Sequence, residues 1–327
     1  MAATTAYVLW GVLPLYFLLL LPTGPWELVA WRVLLSLVFC VVILAVTRAW
    51  RPLRAIVRNR RLMLLTALAG VLIYVNWQVF VVAALTGHVV ETSLGYFINP
   101  ITTVLLGVFV LKERIRRTQW AAIAVAGVAV VTIIVAYGSV PWIALALTAS
   151  FGCYGLVKKN IGPSVDAMSG LTFETFWLVP IAVIQLIIVG ATTGITWGAH
   201  GPTHTILVAF AGVATAIPLL LFATGTRRIS LAAVGMLQFI TPVMQFLVGW
   251  LLLGEPMPPE RWAGFILVWI AITIFIADLL AHTRRTRKTR RSVKHPDATT
   301  PPAPEPGTNT TNPPKNDDDP QIVSALR

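Results

Sequence analysis

Two charges stand inside long apolar runs of this sequence: Arg32, five residues into the run at 27–47, and Glu174, five residues into the run at 169–190. An ionisable side chain within a membrane span costs at least about 2.5–3.5 kcal/mol on insertion scales, so each demands a reason. One reason is chemical: Arg32 holds an anionic substrate group, and Glu174 binds a cation or a proton. The other is structural: an ion pair, or an arginine whose head reaches the interface along its apolar stem. Asn76-Trp77-Gln78 places two amides and an indole in mid-run, where they either bond across helices or line a cavity. The run from Glu91 holds Pro100, which removes a backbone donor and frees carbonyls that need partners, so Tyr96 and Asn99 could face a wet centre. Gln238 and Pro242 repeat part of that pattern near residue 240. Arg32, Asn76, Trp77, Tyr96, Asn99 and Gln238 are therefore the candidate cavity residues, and Glu174 is the candidate coupling residue.

Other chemistries lack their motifs. The sequence has no H-E-x-x-H, no G-x-S-x-G, no paired carboxylates for a metal-diphosphate site and no G-x-x-x-x-G-K-[ST] loop for ATP. Cys40 and Cys153 lie in apolar runs without metal-type spacing and read as small buried hydrophobes. No enzyme, cofactor or metal is expected.

The elements that must position these residues follow from composition. Of 327 residues, 57% are hydrophobic and 12% charged, with mean hydropathy +0.78. A soluble domain carries about a quarter charged residues, so the chain reads as an integral membrane protein. Windows of about 20 apolar residues fall at 4–21, 27–47, 62–86, 89–111, 119–137, 140–157, 169–190, 205–226, 231–253 and 262–281. These runs exceed barrel strands, so the fold class is an all-α polytopic bundle of ten transmembrane helices.

The net charge of +12 is mostly a topology signal rather than a nucleic-acid footprint. Arg48, Arg51, Arg54, Arg58, Arg60 and Arg61 fill one loop; Lys112, Arg114, Arg116 and Arg117 another; Lys158 with Lys159, and Arg227 with Arg228, two more. The intervening loops carry no Lys or Arg, which puts both termini in the cytoplasm. Beyond about 282 a basic stretch gives way to a Pro/Thr/Asn/Asp-rich tail that cannot bury enough apolar surface to fold. The basic loops and tail suit anionic lipid headgroups. Nothing in the sequence sets an oligomeric state. The sequon at Asn309 falls on the cytoplasmic side and carries no weight.

A shift of 142 residues lays Pro100 on Pro242, Glu113 on Glu255, Trp120 on Trp262, Asn76 on Pro218 and Arg32 on Glu174. Each copy holds five spans, an odd number, so the second must enter the membrane inverted. The basic 48–61 loop accordingly matches 191–204, which has no basic residue. The expected divisions are 1–139, 140–281 and the tail 282–327. Inverted repeats chiefly serve transporters, where their exchange of conformations opens a central site to either side in turn. Glu113 and Glu255, just beyond spans, read as solvated or loop-pinning.

Ser93-Leu94-Gly95-Tyr96-Phe97-Ile98-Asn99-Pro100, Leu111-Lys112-Glu113-Arg114 and Gln119-Trp120 resemble the RarD branch of the EamA-type transporters, in the drug/metabolite transporter superfamily. Trp10-Gly11, Pro14, Tyr16, Asn76-Trp77, the 154–159 segment and Glu174 fit the same pattern, over residues 6–281. Leu18 and Trp31 depart from it, standing where the branch carries Lys and His. The resemblance implies a bacterial inner-membrane permease for a small organic metabolite or drug-like solute. Proton coupling through Glu174 is an expectation from its depth alone. The rival reading is a signalling or scaffold protein using the tail as output; deleting residues 284–327 would separate the two.

Overall fold

The computed structural model describes residues 2–112, 115, 117–137, 140–161, 165–226 and 237–294, and every regular element among these is helical. Residues 1–283 form one unit and 284–327 another, whose described part, 284–294, is helical. In chain order come α1 (Ala2–Leu18), α2 (Pro25–Thr47), a short α3 (Trp50–Val57), α4 (Arg60–Leu85), α5 (Val89–Leu111) and α6 (Arg117–Tyr137). They are followed by α7 (Trp142–Ile161), α8 (Ala167–Thr192), α9 (Gly201–Thr226), α10 (Ile240–Leu247) with a π-helical turn Val248–Leu252, and α11 (Pro259–Lys294). Glu113, Arg114, Arg116, Arg227, Arg228 and the chain beyond Lys294 lie outside the described residues.

Six stretches are each long and apolar enough to cross a membrane: Pro25–Thr47, Arg60–Leu85, Val89–Val110, Ala167–Thr192, Gly201–Phe222 and Pro259–Asp278. Ala2–Leu18, Arg117–Thr132 and Ile240–Leu252 are apolar but shorter. The α7 helix has the length, but Lys158 and Lys159 in its last turn lower its hydropathy. The protein is a multi-pass membrane protein.

Local chemistry sets the helix ends. Pro25 opens α2 directly after Gly24, where its missing N–H costs nothing. The Asn59 side chain caps α4 by accepting from the amides of Arg61 and Leu62, and Asp166 caps α8 through the Ser169 amide. The 48–61 segment, expected to be a loop, contains α3. Its Arg51 and Arg54 share the helix with a fully buried Ile56, an amphipathic pattern that the density of charge obscured.

Helix packing is close where glycine permits it. A Cβ at Gly95 of α5 would stand 2.8 Å from the Ala144 carbonyl oxygen of α7, and one at Gly70 of α4 2.8 Å from that of Glu174 in α8. The α2 helix packs on α8 and α9, α4 on α7 and α8, α1 on α9 and α10, and α5 on α7 and α10. One apolar cluster gathers around Phe17, Leu28, Phe80, Leu147 and Leu178; a second joins Phe97 of α5, Phe246 of α10 and Phe265 of α11.

Carboxylates stitch helix starts together. Glu27 of α2 accepts from the Thr196 and Trp197 amides before α9. Glu91 of α5 accepts from Ile143 and Ala144 at the start of α7. Glu255, before α11, accepts from Val89 and Val90 at the start of α5, at 2.6 and 2.8 Å. Glu91 and Glu255 each meet the unpaired N–H groups and positive dipole end of another helix, whereas Glu27 holds the turn that precedes α9. Glu255 is thus a loop-pinning residue, buried at 6% exposure.

Candidate functional site

Polar groups on a helix inside an apolar bundle must find partners or water. Arg32, Asn76, Trp77, Tyr96, Asn99 and Gln238, from α2, α4, α5 and the turn before α10, all line one cavity of about 190 Å³. Around them stand Tyr7, Trp10, Phe80, Phe151 and Phe222, with Thr215, Thr241 and Gln245 adding further polar atoms.

Among the described residues, Arg32 is the single charged side chain on this wall. At 2% exposure it turns into the bundle, not out toward an interface. Its Nε donates to Thr215 Oγ1 at 3.0 Å, and its guanidinium carbon lies 4.9 Å from the Phe17 ring centroid and 5.0 Å from that of Trp77. Ring quadrupoles stabilise a desolvated cation by about 2 kcal/mol or more, which offsets part of the burial cost but provides no counter-charge. Arg32 Nη1 is buried without a hydrogen-bond partner.

Asn76 bonds across three helices. Its Nδ2 donates to the Leu147 carbonyl and to Ser150 Oγ, each at 3.1 Å, while its Oδ1 accepts from the Tyr96 hydroxyl at 3.2 Å. This fixes α4, α5 and α7 around one polar node and turns the Tyr96 ring to the cavity. Asn99, one turn further along α5, keeps a buried Oδ1 without a partner. Gln245 donates to the Trp10 carbonyl at 3.3 Å, tying α10 to α1.

Glu174 does not join this cavity. At 1% exposure it pairs with Lys158 of α7 through Oε1 at 2.6 Å and accepts the Tyr154 hydroxyl on Oε2 at 3.1 Å. Glu174 and Arg32, which the 142-residue shift superposes, therefore do not pair with each other. No metal-holding group of His, Cys, Asp or Glu exists among the described residues.

Several wall residues were not among the cavity candidates from sequence: Trp10, Thr215, Leu219, Phe222, Thr241 and Gln245. For Thr215, Leu219, Phe222 and Thr241 the signal lay in the repeat. Ile73 and Thr215, Trp77 and Leu219, Phe80 and Phe222, Tyr96 and Gln238, and Asn99 and Thr241 are each 142 residues apart, and every one of these residues lines the cavity.

Comparison with known proteins agrees in kind. The EamA-like transporter family matches the chain twice, over residues 1–135 and 140–277. The chain is 43% identical to Protein RarD of Streptomyces exfoliatus, with 92% of this chain and 95% of that protein covered. It is 36% identical to Protein RarD of Escherichia coli K12 (88% and 96% covered) and 39% to the uncharacterized transporter YojE of Bacillus subtilis (83% and 90%). One crystal structure shares the fold at a TM-score of 0.56 and 17% identity, covering 84% of this chain and 95% of its own. With one family matching both halves and relatives aligned along most of its length, the chain belongs to the EamA-like transporter family as a RarD-type member.

Proposed function

We propose that the protein is a secondary transporter that moves a small organic metabolite or drug-like solute across the bacterial plasma membrane by alternating access. The observation that carries this reading is the central cavity, five pairs of whose wall residues stand 142 positions apart. A cavity built symmetrically from two copies lies on their shared axis, where a solute can be handed from one side to the other. Arg32, Asn76, Trp77, Tyr96, Asn99 and Gln238 are the proposed substrate contacts.

The packing order supports an architecture of ten spans in two inverted repeats. Exchanging α1, α2, α4 and α5 for α7, α8, α9 and α10 turns α1–α9 into α7–α4, α1–α10 into α7–α5, and α2–α9 into α8–α4; each of these contacts is present. The α2–α8 and α5–α10 contacts map onto themselves. In this reading the basic loops, α3 among them, and both termini face the cytoplasm and anionic lipid. The stitched helix starts then close the opposite end.

Glu174 is the proposed coupling residue, acting through its pair. A proton on its carboxylate would weaken the hold on Lys158 and loosen α7 from α8. Uptake by Glu174→Gln that keeps the wild-type pH dependence would remove it from this role.

The direct test is solute flux in proteoliposomes, screened across a metabolite and antibiotic panel with wild type and Leu219→Trp, which fills the cavity. Flux of one class in wild type and its loss in a folded Leu219→Trp protein is the expected result. Flux unaffected by the filled cavity would overturn the assignment.

A further inference from the structure

The cavity's charge, shape and size together restrict what it can hold. Seven aromatic side chains, Tyr7, Trp10, Trp77, Phe80, Tyr96, Phe151 and Phe222, line it. Among the described residues its single charge is Arg32, nearly fully buried, with Nη1 lacking any hydrogen-bond partner. Among the described residues, no carboxylate lines the cavity and no ion pair engages Arg32. We infer that the cavity binds a small aryl monocarboxylate: one ring packed among the aromatic walls, with its carboxylate on the Arg32 guanidinium. The inference rests on the reading of the cavity as the substrate site and names that substrate's class.

Charge excludes the alternatives. A cation would meet the like charge of Arg32, with no carboxylate among the described wall residues to offset it. A zwitterionic amino acid brings an ammonium group that finds no acidic partner on the wall. A dianion leaves its second charge without a cation. A neutral aromatic fits the rings but leaves the buried guanidinium uncompensated. A guanidinium and a carboxylate, by contrast, match in planar geometry and bond strongly.

Size points the same way. A cavity of about 150 Å³ accepts benzene; this one, at about 190 Å³, adds room for one carboxylate-sized group. The unpartnered Asn99 Oδ1 would accept a bond from a ring hydroxyl, so hydroxylated aryl acids fit within the same class.

The test is ligand binding to the full-length protein in detergent, by calorimetry, with benzoate, benzamide, benzylammonium and phenylalanine. Benzoate should bind at least about tenfold more tightly than each of the others, the margin of one charge-assisted bond. Arg32→Gln should erase the benzoate preference over benzamide. Benzamide or benzylammonium binding as well as benzoate, or no benzoate binding at millimolar concentration, would overturn the inference. If Arg32→Gln does not fold, the benzoate–benzamide comparison on wild type decides alone. Should benzoate fail while a solute of another class is bound and moved in proteoliposomes, the aryl-acid inference falls and the transport reading stands. Should benzoate bind while no solute is moved, the anion site stands and the transport reading falls.

Discussion

The Lys158–Glu174 pair is asymmetric, and its two halves should respond to mutation very differently. Glu174 is 1% exposed, whereas the Lys158 side chain is 33% exposed. Removing the lysine, in Lys158→Met, strands a buried carboxylate with only the Tyr154 hydroxyl bonded to it. Breaking a buried pair in this way costs about 3–5 kcal/mol. Removing the acid charge, in Glu174→Gln, keeps a hydrogen-bonding group opposite Tyr154 and leaves a lysine already one-third exposed, free to turn to solvent. The cost there is about 0–1.5 kcal/mol. The double variant should lie near Glu174→Gln, giving a coupling energy of at least about 2 kcal/mol. Thermal unfolding of the four purified proteins in one detergent reads this order. At about 2 °C per kcal/mol for a large domain, Lys158→Met should unfold roughly 6 °C or more below wild type, and the second substitution should restore most of that. Equal losses from the two single variants, or a double variant no better than Lys158→Met, would refute the reasoning.

Glu255→Ala should leave the buried Val89 and Val90 amides without their acceptor, at about 1–3 kcal/mol for each; hydrogen exchange of the segment around residue 90 should speed up at least tenfold while that around residue 70 holds. Gly95→Val places a Cβ 2.8 Å from the Ala144 carbonyl oxygen and should cost about 1–3 kcal/mol of stability, or more if α5 cannot shift, read as a lowered unfolding temperature. Asn76→Leu removes the acceptor of the Tyr96 hydroxyl and both donations to α7; a loss of about 1–3 kcal/mol is expected, with weakened solute binding.

The helices and the cavity differed in how far the sequence exposed them. Arg32, Asn76, Trp77, Tyr96, Asn99 and Gln238 stood out because polar atoms inside apolar runs are costly, and the structure gathers all six on one wall. The same rule picked Glu174, but depth reports only that a group is buried, not which neighbour it meets. Its partner Lys158 read as a topology charge because it sits in the last turn of α7. Leu219 and Phe222 were illegible singly, since an apolar residue facing a cavity looks like one facing lipid. Only their offset from Trp77 and Phe80 marks them. The amphipathic α3 hid within a stretch valued for its arginines, while Ile56 carried the pattern that buries it.

The central claim is that this one cavity opens to each side of the membrane in turn. A single cysteine at Leu219, on the cavity wall, in a chain with Cys40 and Cys153 replaced, tests it through a membrane-impermeant maleimide applied from either side of oriented vesicles. Labelling from both sides, slowed by a bound solute, is the expected result. Labelling from one side alone, with the protein folded and solute bound, would describe a site that never changes face and would contradict it.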